Sequence, residues 1–298
     1  MIKMRNVCKY FDEFQVLNQL NLTVKKGSIY GLVGVNGSGK TTLIKHLSGI
    51  CCPDSGDVLI DNQPVFDNVK IKEKIGYISD DLYFFALYHL KSFSKFCQNL
   101  YPNWDQSRYT YMVQQFGLNE TKKLSKFSKG MQKQAAFILA MSAKPEILIL
   151  DEPLDGLDPM IRKLVLKYIV DDVTERKMTV LISSHNLKEI EGICDSIGIL
   201  NNGSMLIEKD LDALTSDIHK IQIIFPEGTV CSFENLNVLF HEKRGSVNLL
   251  IIRGKHEVVE ETLLSSHPIV LDLLPLTLEE IFIYEMGGDR HAIKEILF

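Results

Sequence analysis

The nine residues Gly34–Thr42, GVNGSGKTT, constrain this chain more than any other stretch. Gly34-x4-Gly39-Lys40-Thr41 is the pattern of a loop that wraps phosphate groups. Its glycines let the backbone turn tightly, so that several N–H groups point inward at phosphate oxygens. A helix beginning near Lys40 aims its positive end at the same anion. Lys40 adds a full charge near the β and γ phosphates, and Thr41 offers a hydroxyl to magnesium. Asn36, Gly37, Ser38 and Thr42 complete the candidate lining. The pattern requires a strand before it and a helix after it. Ser28–Val33 is a short apolar run suited to a buried strand, and Leu43–Ile50 has helical character that ends at Gly49.

A second acidic element follows downstream. Ile147–Leu150 is another buried-strand run, and it ends in Asp151-Glu152-Pro153. Ligands of open α/β sheets sit at the carboxyl ends of strands. Asp151 there can hold magnesium, directly or through water, and Glu152 is placed to take a proton from an attacking water. Thr179–Ser183 reads as a further strand, with the helical stretch Arg162–Thr174 between the two. Such strand–helix–strand alternation implies a parallel sheet.

Three other regions have their own character. The first twenty-five residues alternate apolar and polar, as in Val16–Val24, and read as antiparallel strands. Cys52–Gly56 reads as a turn, Asp57–Ile60 as a strand and Asp61–Asn62 as a hairpin turn. From about Leu82 to Lys144 apolar residues recur at helical spacing, interrupted by a loop at Tyr101–Asp105; this is an inserted helical subdomain. Beyond about Asp210 the pattern predicts a small α+β domain. Its expected strands are His219–Phe225, Ser246–Ile252 and Val270–Leu274, and its expected helices Glu257–Ser265 and Thr277–Met286. Ile221, Ile223 and Phe225 alternate on one strand face, and Leu249 and Ile251 on another, with Ile281 and Phe282 expected to cover them.

Charge and cysteine content narrow the function. Asp plus Glu outnumber Lys plus Arg by 38 to 33, so no electrostatic argument favours a nucleic-acid partner. No stretch approaches the roughly eighteen apolar residues that span a bilayer. The start, MIKMRNVCKYF, has no apolar core of a secretory signal. The six cysteines form no CxxC and read as reduced thiols in a cytosolic protein. The adjacent pair Cys51–Cys52 is read as packing, and the histidines show no metal-ligand spacing.

Together these motifs resemble the nucleotide-binding subunit of an ATP-binding-cassette (ABC) transporter, over about residues 1–210. Gly34–Thr41 is similar to Walker A and Ile147–Glu152 to Walker B. Phe127-Ser128-Lys129-Gly130-Met131 resembles the signature motif, Leu157-Asp158 the D-loop, and His185 in LISSHN the switch histidine. The resemblance implies a P-loop NTPase ATP-binding-cassette fold, α/β, with an antiparallel β subdomain and an inserted helical subdomain at about 82–144. A small C-terminal α+β domain, 211–298, completes it; no motif residue lies there, so it is expected to modulate catalysis rather than perform it.

The resemblance further implies that ATP and Mg2+ are the cofactors. Lys40, Glu152 and His185 take the catalytic roles, and Thr41 and Asp151 bind the metal. Ser128 and Gly130, at a helix start, contact the γ-phosphate of ATP held by a second copy of the subunit, so that two chains close head-to-tail around two ATPs. Phe11 aligns with the aromatic that stacks on adenine. Two departures stand out. Asp80, after Gly76-Tyr77-Ile78-Ser79, replaces the usual Gln and offers a charged oxygen to magnesium; Lys129 and Met131 replace the usual Gly and Gln.

The details YPNWD, FSKGM and LDGLDP resemble a bacterial exporter branch, in the neighbourhood of bacitracin-resistance and phenol-soluble-modulin exporters, whose ATPase and permease are separate chains. That implies a peripheral protein on the cytoplasmic face of the membrane. Its partner is an integral-membrane permease docked near the aromatic segment Leu82–Leu87, and its substrate is a peptide or antimicrobial. The alternative is a soluble ATPase of the same family, or an ATP-dependent switch, uncoupled from transport.

Overall fold

A computed structural model describes residues 2–85, 87–211, 217–226, 233 and 235–285. The chain divides into two units, Met1–Glu208 and Lys209–Phe298.

The first unit opens with two long strands, β1 (Ile2–Phe11) and β2 (Phe14–Val24), and then β3 (Ile29–Val33) runs through the glycine-rich loop into helix α1 (Lys40–Leu47). β4 (Ser55–Ile60), the two-residue β5 (Gln63–Pro64), the short α2 (Val69–Lys72) and β6 (Ile75–Ile78) follow. Three helices come next, α3 (Leu90–Leu100), α4 (Gln106–Gln115) and α5 (Lys129–Ser142). The unit closes with β7 (Ile147–Leu150), α6 (Pro159–Arg176), β8 (Thr179–Ser184), β9 (Ser196–Asn201) and β10 (Ser204–Asp210).

Two sheets result. One is antiparallel, in the order β2-β1-β4-β5; the other has six strands in the order β10-β9-β3-β8-β7-β6. In the second sheet β6, β7, β8, β3 and β9 run parallel, as strands buried on both faces and joined by helical crossovers should. Leu43, Ile44 and Leu47 of α1 share one core with Ile2, Met4, Leu20 and Leu22 of the antiparallel sheet and Leu32, Ile149 and Leu181 of the parallel one. Each of those α1 side chains is fully buried; truncating one to Ala costs about 2–5 kcal/mol. The helix carrying Lys40 and Thr41 is thus fixed by fully buried packing between the two sheets.

Asp61 and Asn62 both have positive φ and turn the β4–β5 hairpin as their sequence predicts. β4, however, begins at Ser55, two residues before the predicted start. A Cβ on Gly56 would lie 2.4 Å from the carbonyl oxygens of Arg5 and Asn6. Only glycine, here at φ +83°, lets the two strands approach there, so a residue read as a turn former is part of the ladder. α6 is longer at both ends than the predicted Arg162–Thr174. Asp158 accepts from Met160 N and Ile161 N, and Pro159 opens the helix.

The inserted helical segment is tied to α6 by charge. Asp172 is buried and lies 2.7 Å from both Arg108 of α4 and Arg176 of its own helix. Phe116 packs on Phe137 and stacks on Tyr168.

In the second unit β11 (Ile218–Ile224), β12 (Asn237–Arg244), β13 (Val247–Arg253) and β14 (Val270–Leu274) form an antiparallel sheet in the order β12-β13-β11-β14, with helices α7 (His256–Leu264) and α8 (Leu278–Glu285). The core corrects one expectation: α7, rather than the last helix, packs on Ile221 and Ile223. Ile221 stands opposite Leu250, and the core beneath α7 is Ile221, Ile223, Leu250, Ile252, Val259 and Leu263. Leu249 and Ile251 share the other face, as their alternation predicts. Ile281 is fully buried; the side chain of Phe282 and residue Met286 lie outside the described residues.

Candidate functional site

The glycine-rich loop runs from β3 to α1 with Gly37 at φ +83° and Gly39, the cap of α1, at φ +107°. It is held from outside by two other chain segments. Gly203, in the β9–β10 turn, donates its N–H to Ser38 O at 2.9 Å, and Asn18 N of β2 donates to Gly203 O at 2.9 Å. A Cβ on Gly203 would meet Val16 O at 2.2 Å, and one on Gly34 would meet Leu200 O at 2.4 Å. The hydroxyl of Ser38 is buried and has no hydrogen-bond partner.

Lys40 is buried, and its ammonium donates to Gly34 O at 2.6 Å and Val35 O at 3.3 Å. The same nitrogen lies 3.2 Å from Glu152 Oε1. Glu152 is therefore drawn to the loop across the end of β7. Its other oxygen, Oε2, accepts from His185 N at 3.2 Å and lies 2.9 Å from His185 Nδ1. Glu152 adopts φ +46°, unusual for a residue with a side chain; its N–H donates to Ser183 Oγ at 3.0 Å.

Asp151 has no exposed surface. Ser183 Oγ donates to its Oδ1 at 2.8 Å, while Oδ2 is buried with no partner. Burial pushes its carboxyl above the ordinary aspartate value; the bond from Ser183 and the nearby Thr41 hydroxyl pull it back, and the charges of Glu152 and Asp80 add to the rise. A buried, unpartnered carboxylate oxygen beside a threonine hydroxyl is a hard-cation donor set. Thr41 and Asp151 thus fit a magnesium ion, which would supply charge neutralisation on the phosphates.

The structure brings Lys40, Thr41, Asp151, Glu152 and His185 into one cluster. Ser128 and Gly130 form another corner. Ser128 caps α5, accepting from Met131 N at 3.2 Å. Gly130 abuts the segment after Glu152, where an added Cβ would lie 2.9 Å from Gly156 O. Phe11 is exposed at the end of β1, with the Lys9 ammonium 5.6 Å from its ring centroid. Asp80 is half-exposed, and its Oδ1 accepts from Lys133 Nζ at 2.9 Å.

Sequence reasoning missed two residues of this neighbourhood. Ser183 joins Asp151 to Glu152, and the signal was a polar pair ending the apolar β8 beside the acid-ended β7. Lys133, buried on the second turn of α5, has no such signal; its partners are distant in sequence.

The ABC transporter family profile matches residues 17–155. The ABC transporter ATP-binding protein YtrB of Bacillus subtilis (strain 168) is 35% identical over 290 residues, covering 97% of this chain and 99% of that protein. The bacitracin transport ATP-binding protein BcrA of Bacillus licheniformis is 37% identical over 217 residues, 72% of this chain and 71% of that one. Among solved structures, the ATP-binding subunit of an ABC transporter matches with a TM-score of 0.66 at 25% identity, covering 72% of this chain and 91% of that one. A bacterial ABC transporter cassette solved as a dimer matches with a TM-score of 0.65 at 24% identity, covering 71% and 99%; at that identity it speaks for the fold.

Proposed function

The chain belongs to the ABC transporter family as an ATP-binding subunit, related to the ATPases of bacitracin and lantibiotic transport, and from that premise we propose that it hydrolyses Mg2+-bound ATP between two copies of itself to drive a separate membrane permease. The observation that carries the catalytic part is the convergence of Lys40, Glu152 and His185 at the ends of β3, β7 and β8. In this reading Glu152 accepts a proton from water as the water oxygen bonds to the γ-phosphorus. The bond from that phosphorus to the β-bridging oxygen breaks, and ADP leaves with the electron pair. Lys40 holds the β and γ phosphates, and the His185 ring keeps Glu152 Oε2 aimed at the water. Ser128 and Gly130 reach the γ-phosphate across the dimer, where the start of α5 supplies a positive helix end. Phe11 is the adenine platform in this reading, supported by its exposure.

A peptide-like or antimicrobial cargo is supported by relatives named for bacitracin and lantibiotic transport, and the direction we propose for it is export. Among the described residues no helix is long and apolar enough to cross a membrane; the permease of this reading is a separate chain. Tyr83 and Leu87 beside Asp80 are strongly exposed, which supports a protein partner there and a place at the cytoplasmic membrane face. Two experiments test this. Glu152→Gln should lose about 10²–10⁴ in rate and accumulate as a closed dimer with MgATP; a monomer under saturating nucleotide would refute the two-copy site. Co-purification with an integral-membrane protein separates a transport subunit from a soluble ATPase or switch.

A further inference from the structure

Lys133 is 8% exposed, and its ammonium donates to two acceptors from two different loops: Asp80 Oδ1 at 2.9 Å and the main-chain oxygen of Glu152 at 2.7 Å. A buried ammonium persists only when it is paired. Here the pairing is divided between one charge, on the half-exposed Asp80, and one peptide dipole. The second acceptor matters because of where it sits. At φ +46° the Glu152 peptide is held in a sparsely populated conformation, of a kind that persists only when surrounding contacts impose it. Ser183 fixes the N–H side of that residue. On the carbonyl side Lys133 is the strong donor, for Asp155 N reaches the same oxygen only at 3.4 Å.

Resting on the reading of Glu152 as the general base, we propose that Lys133 is a positioning residue for hydrolysis. Its ammonium fixes the Glu152 main chain so that the carboxylate faces Lys40 and His185, and Asp80 holds that ammonium in place. Lys133 belongs to α5, Asp80 to the loop after β6, and Glu152 to the end of β7. One nitrogen thus links the inserted helical segment, the loop beside the exposed aromatics and the catalytic carboxylate. A displacement of α5 lengthens the bond to Glu152 O and lets its side chain leave the cluster. The charge on Asp80 is then explained as the counter-ion of Lys133.

The test compares steady-state ATP hydrolysis, equilibrium nucleotide affinity and magnesium dependence of the full chain and five variants: Glu152→Gln, Lys133→Met, Asp80→Asn, Lys133→Gln and the double change Asp80→Gln/Lys133→Gln. Loss of a hydrogen bond from a charged donor should lower kcat of Lys133→Met by about 10- to 100-fold, with KM and nucleotide affinity unchanged. Asp80→Asn should lower kcat less, in the same pattern. The double amide variant should exceed Lys133→Gln in kcat, because an amide still donates to Glu152 O and Asp80 no longer lacks a partner. Unfolding of the nucleotide-free proteins should show that the Asp80 and Lys133 changes are not additive.

Wild-type kcat in Lys133→Met, with Glu152→Gln inactive, overturns the positioning role and leaves the general base intact. An active Glu152→Gln overturns the general base itself. Parallel loss of affinity and kcat in Lys133→Met, without recovery in the double variant, marks a merely structural lysine and also overturns the proposal. So does Asp80→Asn that only raises the magnesium requirement, since Asp80 would then serve the ion. If Lys133→Met does not fold, Asp80→Asn, altered at a half-exposed position, gives the same decision from its split between kcat and KM.

Discussion

Replacing Asp151 by Asn should stabilise the nucleotide-free protein while weakening its response to MgATP. The side chain is fully buried, one oxygen accepts from Ser183, and the other has no partner. An unsatisfied buried polar atom costs about 1–3 kcal/mol when neutral, as the Asn amide nitrogen in place of Oδ2 would be, and more when charged, so the substitution relieves the charged excess. Against this, the Ser183 bond weakens by roughly 1 kcal/mol when its acceptor becomes neutral. The balance is about 1 kcal/mol in favour of Asn, or a rise of about 2–4 °C in the melting temperature of a unit this size. The sign follows from the raised carboxyl value. A carboxyl raised by folding favours the native state fully only below its unfolded value, and that favour is lost as pH climbs through the folded one. The advantage of the Asp151→Asn variant is therefore largest near neutral pH and shrinks on acidification. With MgATP the order should reverse. Ligand at a hundred times its Kd stabilises the wild type by about 2.7 kcal/mol, and the variant, lacking the cation ligand, should gain far less. Calorimetry from pH 5 to 8, with and without MgATP, checks both arms. A variant less stable than wild type without nucleotide at pH 7 would refute the reasoning, since Oδ2 would then have a partner in solution.

Gly130→Ala places a methyl 2.9 Å from Gly156 O. It should cost about 1–3 kcal/mol and weaken ATP-driven association in the Glu152→Gln background, as read by sedimentation. Burial raises the thiol of Cys97 to about 11 and that of Cys194 further, so peptide mapping after mild alkylation should show Cys52, which is exposed, modified well before either. Burial pushes Glu280 up, but hydrogen bonds from Lys220 and Thr277 bring it below the usual glutamate value. The 2.6 Å pair therefore stabilises above the ordinary glutamate range and is lost as pH falls through the folded value. Glu280→Gln should cost about 0.5–1 kcal/mol at neutral pH, a difference that calorimetry should find vanishing in acid.

Legible in the sequence were those features whose causes are local. The loop Gly34–Thr42, the acid-ended strand at Ile147–Glu152 and the hairpin at Asp61–Asn62 each follow from residues adjacent in the chain. β12 went unseen because, in NVLFHEKR, apolar alternation gives way to charge along the strand, as suits its place at a sheet edge. The pairing of Ile221 with Leu250 was missed for another reason: register is decided between strands, whereas a pattern within one strand fixes only which residues share a face. Asp80 was legible as a departure, and its charge invited a cation. The cation the fold supplies is Lys133, fifty-three positions away, and no spacing rule connects them. The ion pairs of Asp172 with Arg108 and Arg176 escaped notice too, because helical periodicity places polar residues outward by default and cannot tell which of them the tertiary fold will enclose.

The turn at Gly203 that grips the phosphate loop changes what nucleotide binding has to accomplish. With Ser38 O bonded to one side of that turn and Asn18 N to the other, the curvature of the loop is inherited from the junction of two sheets. Deforming it means parting β2 from the β9–β10 edge. The entropy of shaping the cradle is thus discharged when the chain folds, and an incoming polyphosphate meets donors already aimed. Encounter should then be limited by diffusion and orientation rather than by a search among loop conformers. The site's tolerance is mechanical as well as chemical: a side chain on Gly203, remote from any phosphate, would misshape the cradle by levering it from behind.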